Sequence, residues 1–383
     1  MADVQPLRTL RYDLASVGSL DAVAAPPYDV IDGPMRAELA SRSPFNVVEI
    51  DLPQANGDDP YLHAQTTLDA WRQEGVVVRE REPALWAMTQ DYTGPDGQSY
   101  TRHGFFCRVR VEDYGAGRIR PHERTHPGPK EDRLRLTRAT RTNLSPIFSL
   151  FDDPEDTAWA ALEPSTGEEP FATVTDADGT VNKLWRVGDA DTIASVQSAL
   201  AERELLIADG HHRYETARVY AEEIGGEGEH SYVLMFLCSL ADSGLTIFPT
   251  HRLLTGLDET KRAALRETIA ANFDVEEISA EELQPADDSE GIVLGYLDRH
   301  HGQPLRLTLK DQSIADEALA GMPEPYRRLD TAVLEALVLK GALGMSEDDI
   351  SHLHGLDYAR DTEQARARVE SGEAEAAFFM SPT

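Results

Sequence analysis

The sequence predicts an α/β fold in which mixed sheets are flanked by helices, and two observations support this prediction. Short apolar segments typical of strands alternate with amphipathic segments typical of helices along the whole chain. Hydrophobic residues make up 41% of the 383 residues, which is enough to bury a core and too many for a disordered chain.

The first two thirds of the chain contain most of the clear elements. Ala64, Leu68 and Trp71 share one face of a predicted helix at 61–74. Turn residues at 94–97 and 176–179 predict two hairpins, the second within 171–187. Strands are predicted at 46–52, 85–92, 100–111, 146–151 and 204–208, and further helices at 132–142, 191–202 and 213–224.

The last third continues the mixed pattern. The stretch 281–290 is rich in Asp and Glu and contains Pro, which indicates a loose surface connection. We therefore expect a main α/β domain at 1–280 that carries the site, and a C-terminal α/β portion at 281–383 packed on it. Strands are predicted at 232–240, 245–248, 291–298 and 304–309, and helices at 258–272, 329–343 and 362–370.

The charge balance limits the partners. The chain has 36 Lys and Arg against 68 Asp and Glu, a formal net charge of -32. So acidic a surface repels phosphate backbones and anionic lipids, so we expect no nucleic-acid partner and no membrane partner. Cys107 and Cys238 are the only cysteines, which argues against a disulfide framework or a cysteine metal site. The N-terminus has no apolar signal core, and we expect a cytoplasmic location.

The strongest chemical signal is Asp209-Gly210-His211-His212-Arg213. An apolar strand ends at Asp209, Gly210 permits a tight turn, and a helix begins near Arg213. Helix N-termini attract anions, imidazoles move protons near neutral pH, and a guanidinium group binds phosphate through two N–H groups. The turn therefore predicts an anion site in which Asp209 acts as a base or holds a cation. The alternative is that Asp209 only caps the helix and the histidines satisfy loop groups.

A second polar segment contains His122-Glu123-Arg124-Thr125-His126. On a helix, this pattern presents two zinc ligands one turn apart together with a Glu base. Pro121 precedes the pattern and Pro127 follows it, and proline interrupts a helix, so the sequence argues against zinc. The favoured interpretation is a loop that binds an anionic ligand, and the alternative is a plain solvated loop. The side chains that this loop would offer to an anionic ligand are His122, Glu123, Arg124, Lys130 and Arg133.

Two further segments carry weaker signals. His251 and Arg252 follow the strand predicted at 245–248, a sensible place for ligand contacts, with a salt-bridged loop as the alternative. Tyr28 and Asp29 follow the rigid Pro26-Pro27 pair and are candidates to face a pocket, although a packing role is an equal alternative. The chain contains no Walker-type loop, no dinucleotide-binding glycine pattern and no nucleophile elbow.

Together these four segments resemble the bacterial and archaeal family known as Domain of Unknown Function 1015. The matches lie in the family's order and spread over most of the chain. The family does not reliably have His at position 126, which further weakens the zinc interpretation. Family members usually continue past a strand like 377–380 into a Lys-Ser-Thr segment, whereas this chain stops at Thr383. The matching stretches are 26–30, His122-Glu123 with Lys130, Asp132 and Arg133, 209–217, and 244–252.

The resemblance implies a substrate and a local fold. Family members often accompany serine-biosynthesis genes, which implies action on phosphoserine or serine. The turn at 209–213 is similar to the phosphate-binding turn of the ParB-like and sulfiredoxin-like fold, which includes a free-serine kinase. By this resemblance, Asp209, His212 and Arg213 would hold the phosphate, and Glu123 or His122 would act as acid or base.

Three functions remain open from the sequence. The leading one is phosphoryl transfer or hydrolysis on a small phosphorylated metabolite, with phosphoserine or serine as the first candidate and Mg²⁺ as the candidate cofactor. The second is a nucleotide- or ligand-binding regulator without turnover. The third is a metal-dependent hydrolase that uses His122, Glu123 and His211. A homodimer is a further expectation.

Overall fold

The computed structural model describes residues 2–55, 57–94, 97–115, 117–121, 127–286, 291–351, 353–359 and 361–382. The chain divides into two compact units, Met1–Thr246 and Ile247–Thr383. The boundary expected at 280 thus lies inside the second unit. There, Ser279 and Glu282 form a capping box around the 3-10 turn Ala280–Glu282, and Leu283 is fully buried. The acidic residues that suggested a linker belong, up to residue 286, to the surface of a folded unit.

The first unit alternates strands and helices as the sequence predicted. Its strands are β1 (Val4–Gln5), β2 (Leu10–Tyr12), β3 (Val77–Arg79), β4 (Leu85–Thr93), β5 (Ser99–Arg110), β6 (Ile119–Arg120), β7 (Ile147–Phe151), β8 (Ala172–Thr175), β9 (Val181–Val187), β10 (Leu205–Asp209) and β11 (Tyr232–Ser239). Its helices are α1 (Leu14–Val17), α2 (Gly33–Arg42), α3 (Val48–Asp51), α4 (Pro60–Gln73), α5 (Pro127–Thr140), α6 (Thr157–Thr166), α7 (Ala190–Leu200) and α8 (His211–Ile224), with 3-10 turns at Tyr28–Val30 and Glu229–Ser231.

A mixed sheet forms the centre of this unit. Within the described residues it has nine strands, ordered β6-β10-β7-β11-β5-β4-β9-β8, with β1 paired to the end of β5. The pairs β6–β10 and β7–β11 are parallel, and the other neighbours are antiparallel. Alternate residues of β5, such as Phe105 and Cys107, pack with Leu162 of α6 and Leu200 of α7. Each large apolar side chain buried in this way contributes about 1.5–3 kcal/mol, so the sheet is a firm support for the turn after β10.

An N-terminal layer, built around β2, β3, α3 and α4, packs beside the sheet. Its core contains Trp71 of α4, whose ring centroid lies 6.1 Å from that of Tyr12 and 6.0 Å from that of Phe45. Leu136 of α5 belongs to the same cluster. Since α5 contacts both α4 and α8, it connects the N-terminal layer to the helix that follows β10.

The second unit is built on an antiparallel sheet. Its strands are β12 (His251–Leu254), β13 (Phe273–Glu277), β14 (Val293–Asp298), β15 (Leu305–Leu309), β16 (Leu356–Ala359) and β17 (Ala376–Phe379), and its helices are α9 (Glu259–Asn272), α10 (Gln312–Ala318), α11 (Glu324–Arg327), α12 (Asp330–Leu334), α13 (Glu347–Ser351) and α14 (Thr362–Ser371). Within the described residues, the six strands are ordered β13-β15-β14-β17-β12-β16. Helix α12 continues directly into a π-helix at Glu335–Ala342, where a single helix was predicted at 329–343.

The strand predicted at 46–52 is wrong, because this segment forms the helix α3. Asn46 is fully buried, and its side-chain amide donates to the carbonyl oxygens of Ala22 and Ala24 at 3.0 and 3.1 Å. Its side-chain oxygen accepts a 3.1 Å hydrogen bond from the N–H of Val48, which starts a helical turn. Local side-chain bonding by Asn therefore outweighed the β-branched composition of the segment.

The strand predicted at 245–248 is also wrong, because the backbone there pairs with no strand until His251. The side chain of Asp242 accepts from the N–H of Gly244 at 3.0 Å, and the Tyr92 hydroxyl donates to the carbonyl of Gly244 at 2.8 Å. A Cβ at Gly244 would lie 2.0 Å from the carbonyl oxygen of Thr101. This close approach holds the chain in a turn, and an apolar composition alone does not make a strand.

Cys107 and Cys238 are both buried free thiols, which confirms that they form no disulfide. None of the helices in the described ranges is both long enough and apolar enough to cross a membrane.

Candidate functional site

The turn after β10 has the predicted strand–glycine–helix geometry. Asp209 ends β10, Gly210 has φ 100° and ψ 29°, and α8 begins at His211. The positive φ favours glycine because side chains with a Cβ are strained there. A Cβ at position 210 would also lie 3.0 Å from the Cζ and Nε atoms of Arg213. Glycine is therefore required both for the backbone conformation and for the space that Arg213 fills.

The guanidinium group of Arg213 is held by two protein oxygens. One Nη donates to the carboxylate of Asp209, and the other donates to the carbonyl oxygen of Pro146. Only 10% of the Arg213 side chain is exposed, whereas Asp209 is 51% exposed. The Nε atom is buried and has no hydrogen-bond partner among the described residues. The protein itself therefore engages both Nη atoms, which the sequence prediction assigned to the phosphate.

Tyr28 lies against two arginines. The Cζ atom of Arg133 is 4.2 Å from the centroid of the Tyr28 ring, and the Cζ atom of Arg213 is 5.8 Å from it. Burial raises the pKa of the Tyr28 hydroxyl, and the two positive charges partly oppose that effect. Three residues that the sequence assigned to separate segments therefore meet at one place.

Asp51 also belongs to this cluster, and the sequence analysis missed it. Its side chain is 11% exposed, and its pKa is raised by burial, against the opposing effects of the Ser145 hydroxyl and Arg133. Ser145 donates a 2.6 Å hydrogen bond to one carboxylate oxygen, and Arg133 donates to the other at 3.1 Å. Arg133 also binds the carbonyl of Asp51 at 2.8 Å and the carboxylate of Asp132 at 2.7 Å. An acid within the apolar run 46–52 was the available signal, and the strand prediction concealed it.

A pocket of about 1090 Å³ opens beside this cluster. It is rich in arginine, although the whole chain carries a net charge of -32. Asp209 and His212 are not part of its wall in the described structure, whereas Tyr28 and Ser145 are. From the part of the chain that the structure describes, seven arginines and three carboxylates line it: Arg8, Arg72, Arg79, Arg108, Arg133, Arg141 and Arg213, with Asp51, Asp69 and Glu229.

Four residues of the pocket wall each have a buried polar atom that finds no protein partner in the described structure. Two belong to α8, Arg213 Nε and Thr216 Oγ1, which lie one turn apart on the same helix face. Two others are Thr9 Oγ1 and Arg108 Nε, and in each case no described residue supplies a partner. A buried donor left unsatisfied costs about 1–3 kcal/mol, so such atoms on a pocket wall favour a polar ligand.

The remaining residues predicted near the turn are placed as follows. His211 is buried and His212 is half-buried in the first turn of α8, and Asp29 is exposed in the 3-10 turn with Tyr28. His122, Glu123 and Arg124 lie outside the described residues, and of Lys130 the structure describes only the backbone, in the first turn of α5. Helix α5 begins at Pro127, a helix position that tolerates proline. The described residues contain no group of three or more His, Cys, Asp or Glu that could hold a metal ion.

His251 and Arg252 belong to the second unit, where their side chains are used structurally. His251 is fully buried; its Nδ1 accepts from the N–H of Met380 at 3.1 Å, and its Nε2 contacts the Thr362 hydroxyl at 3.0 Å. Burial lowers its pKa to about 4. Arg252 donates to the carbonyl oxygen of Thr250 and lies 5.3 Å from the ring centroid of Tyr358. Both ring nitrogens of His251 are engaged inside its own unit, which favours a role in packing.

Solved structures of low sequence identity match part of this chain. A conserved hypothetical protein from Pyrococcus furiosus matches with a TM-score of 0.32 and 15% identity, covering 69% of this chain and 76% of that one. A variant of a free serine kinase in complex with ADP matches with a TM-score of 0.35 and 12% identity, covering 73% and 78%. A free serine kinase in complex with AMP gives a TM-score of 0.31 and 13% identity, covering 69% and 73%.

A search of the curated proteins found no match. The model of one protein family matches residues 4–332, which is most of the chain and includes the turn at 209–213, Tyr28, Asp51 and Arg133. This match agrees with the resemblance found in the four sequence segments. The chain belongs to the family described as protein of unknown function DUF1015.

Proposed function

We propose that this protein binds a small phosphorylated metabolite in the arginine-lined pocket and transfers or hydrolyses its phosphoryl group. The observation that carries the proposal is the excess of arginine over carboxylate on this wall, together with the unpartnered Arg213 Nε and Thr216 Oγ1. Phosphoryl transfer depends mainly on positioning and on stabilisation of negative charge, which guanidinium groups provide. Phosphoserine or serine is the first candidate, on the strength of the family resemblance.

The contacts of Arg213 support a role in phosphate binding. Asp209 and the carbonyl of Pro146 fix its two Nη atoms, so the guanidinium plane is preorganised. The phosphate oxygens would accept hydrogen bonds from Arg213 Nε and from the hydroxyl of Thr216. A fixed, buried donor binds an anion more strongly than a solvated one, because it is already desolvated and oriented.

Asp51 is a candidate acid or base in addition to Asp209, His212, Glu123 and His122. It lies on the pocket wall, and burial raises the pKa of its carboxyl group. A raised pKa allows a carboxyl group to exchange protons closer to neutral pH. Perturbed carboxyl groups in pockets are frequent at functional sites, and the Ser145 hydrogen bond would keep this one oriented.

The test is a screen of phosphorylated metabolites with the full chain, beginning with phosphoserine. Release of phosphate and transfer to or from serine are both measured, with Mg²⁺ and with a chelator. Arg213→Ala should lower kcat/KM about ten- to hundred-fold, since it removes a charge-assisted contact. Asp209→Asn should keep the turn and lower mainly kcat.

The matched control is Arg218→Ala, on the same helix. Arg218 bonds to Asp113 and Glu215 and does not line the pocket in the described structure. Its loss should leave kcat/KM unchanged. Turnover of no metabolite, or equal activity of the Arg213 and Asp209 variants and the parent protein, would reject the enzymatic proposal. Saturable binding without product would then indicate a ligand-binding regulator.

A further inference from the structure

A second group of polar side chains, carried by elements other than α8, lines the same pocket. Arg79 of β3 and Arg108 of β5 both contact the carboxylate of Glu229, each at 3.3 Å. The Cζ atom of Arg108 lies 4.6 Å from the ring centroid of Tyr232, so the ring supports the guanidinium group. We call Arg79 and Arg108 the outer arginine pair.

The outer arginine pair is not neutralised by its partner. Two guanidinium groups share one carboxylate, and Glu229 is 68% exposed, so solvent screens both contacts. The Nε atom of Arg108 is nevertheless buried and has no partner in the described ranges, and the same holds for the hydroxyl of Thr9, another residue of the pocket wall. The outer arginine pair and Thr9 therefore combine excess positive charge with desolvated donors, as Arg213 and Thr216 do.

The two groups of donors lie on different elements of the fold. Arg213 and Thr216 are carried by α8, whereas the outer arginine pair is carried by two strands and Thr9 by the segment between β1 and β2. Both line one pocket of about 1090 Å³. Ligand pockets generally have volumes of about 300–1,000 Å³, so this pocket has room for a metabolite that carries two charged groups.

We propose that the ligand of this pocket carries two anionic groups, a phosphate at Arg213 and Thr216 and a second phosphate or carboxylate at the outer arginine pair. This inference rests on the proposed function, because the first group is the phosphate that reacts. The second group does not react. It binds to Arg108 and Thr9, replaces the exposed carboxylate of Glu229, and fixes the orientation of the substrate.

The test uses alkane α,ω-bisphosphonates of increasing chain length, each compared with the monophosphonate of equal length. Affinities for the full chain are measured by calorimetry. One chain length should bind about ten- to hundred-fold more tightly than its monophosphonate, the gain expected for an added charge-assisted contact. Glu229→Gln should increase that gain, because it removes the competing carboxylate.

Substitutions distinguish the outer arginine pair from the phosphate site at Arg213. Arg108→Gln should abolish the gain of the bisphosphonate and lower the monophosphonate affinity much less than Arg213→Ala does, and the retained monophosphonate binding shows that the variant folds. Arg213→Ala should weaken both ligands. The matched control is Arg110→Gln: Arg110 lies two residues further along β5, pairs with Glu227 at 2.5 Å, and is absent from the described pocket wall. This variant should keep the full gain.

The outcomes distinguish this inference from the proposed function. Monophosphonate binding that depends on Arg213, with no gain for a bisphosphonate of any length, would overturn the proposal of a second anionic group. It would leave the proposal of a phosphate site at Arg213 intact. A gain that persists in Arg108→Gln would also overturn the proposal of a second anionic group. Binding of neither ligand class would overturn both proposals.

Discussion

Ser145 donates a 2.6 Å hydrogen bond to the buried carboxylate of Asp51, although the two residues are 94 positions apart in the sequence. The next residue, Pro146, accepts a hydrogen bond from Arg213 through its carbonyl oxygen. The short connection between α5 and β7 therefore bonds both to a carboxylate and to a guanidinium group of the candidate site. Its conformation couples the N-terminal layer to the turn at 209–213.

Ser145→Ala should destabilise the protein by about 1.5–3 kcal/mol, because it removes a hydrogen bond to a buried charged group. Urea unfolding measures the change. The control is Ser41→Ala, since the hydroxyl of Ser41 bonds to the carbonyl of Glu38 on an exposed helix surface. That variant should change the free energy of unfolding by less than about 0.5 kcal/mol. Equal effects of the two substitutions would contradict the structural importance of the Asp51 contact.

Gly210→Ala should destabilise the first unit by about 1–2 kcal/mol, because φ at this position is 100°. The added Cβ would also meet the guanidinium group of Arg213, so phosphate affinity should fall together with stability. Gly33→Ala is the matched control. Gly33 begins α2, has no positive φ, and has no atom within 4 Å of an added Cβ. A harmless Gly210→Ala would refute the geometry of the turn.

Tyr28→Leu should destabilise the first unit by about 0.5–2 kcal/mol, because the ring faces the guanidinium groups of both Arg133 and Arg213. Tyr28→Phe should retain most of that stability, since the aromatic ring remains. Urea unfolding of both variants gives the comparison. If Phe costs as much as Leu, the hydroxyl of Tyr28 matters more than its ring.

His251 should make the second unit sensitive to acid. Burial lowers its pKa in the folded protein to about 4, from about 6.5 for an ordinary imidazole. The unfolded chain therefore binds the proton first, and the free energy of unfolding falls as the pH decreases from about 6.5 to about 4. Below that range the loss is complete, at about 3 kcal/mol. Protonation at Nδ1 would remove the acceptor that the N–H of Met380 uses.

The measurement is thermal unfolding of the parent protein and of His251→Asn across this pH range. Asn places an acceptor near the position of Nδ1 but does not titrate, so the variant should lose less stability between pH 6.5 and 4 than the parent protein. Identical pH profiles for the two proteins would show that His251 does not carry this dependence.

Some features of the candidate site could be predicted from the sequence because they depend on neighbouring residues. The turn at 209–213 is set by the left-handed conformation of Gly210 and by a contact between Asp209 and Arg213, one helical turn apart. The strands at 85–92 and 204–208 were also predicted, because their apolar side chains must be buried against the helices. Local chemistry and patterning were sufficient in these cases.

Other features were decided by tertiary structure. Arg79, Arg108 and Arg141 are unremarkable in the sequence, and only the pairing of strands and the packing of α5 bring them to one pocket wall. Asp51 became a candidate because folding buries it beside Ser145 and Arg133, and burial is what raises its pKa. The sequence by itself therefore determined the fold class and the local turn, whose interactions span a few residues. Tertiary packing determined which distant charges share a desolvated space, because electrostatic environment depends on distances that the order of residues does not contain.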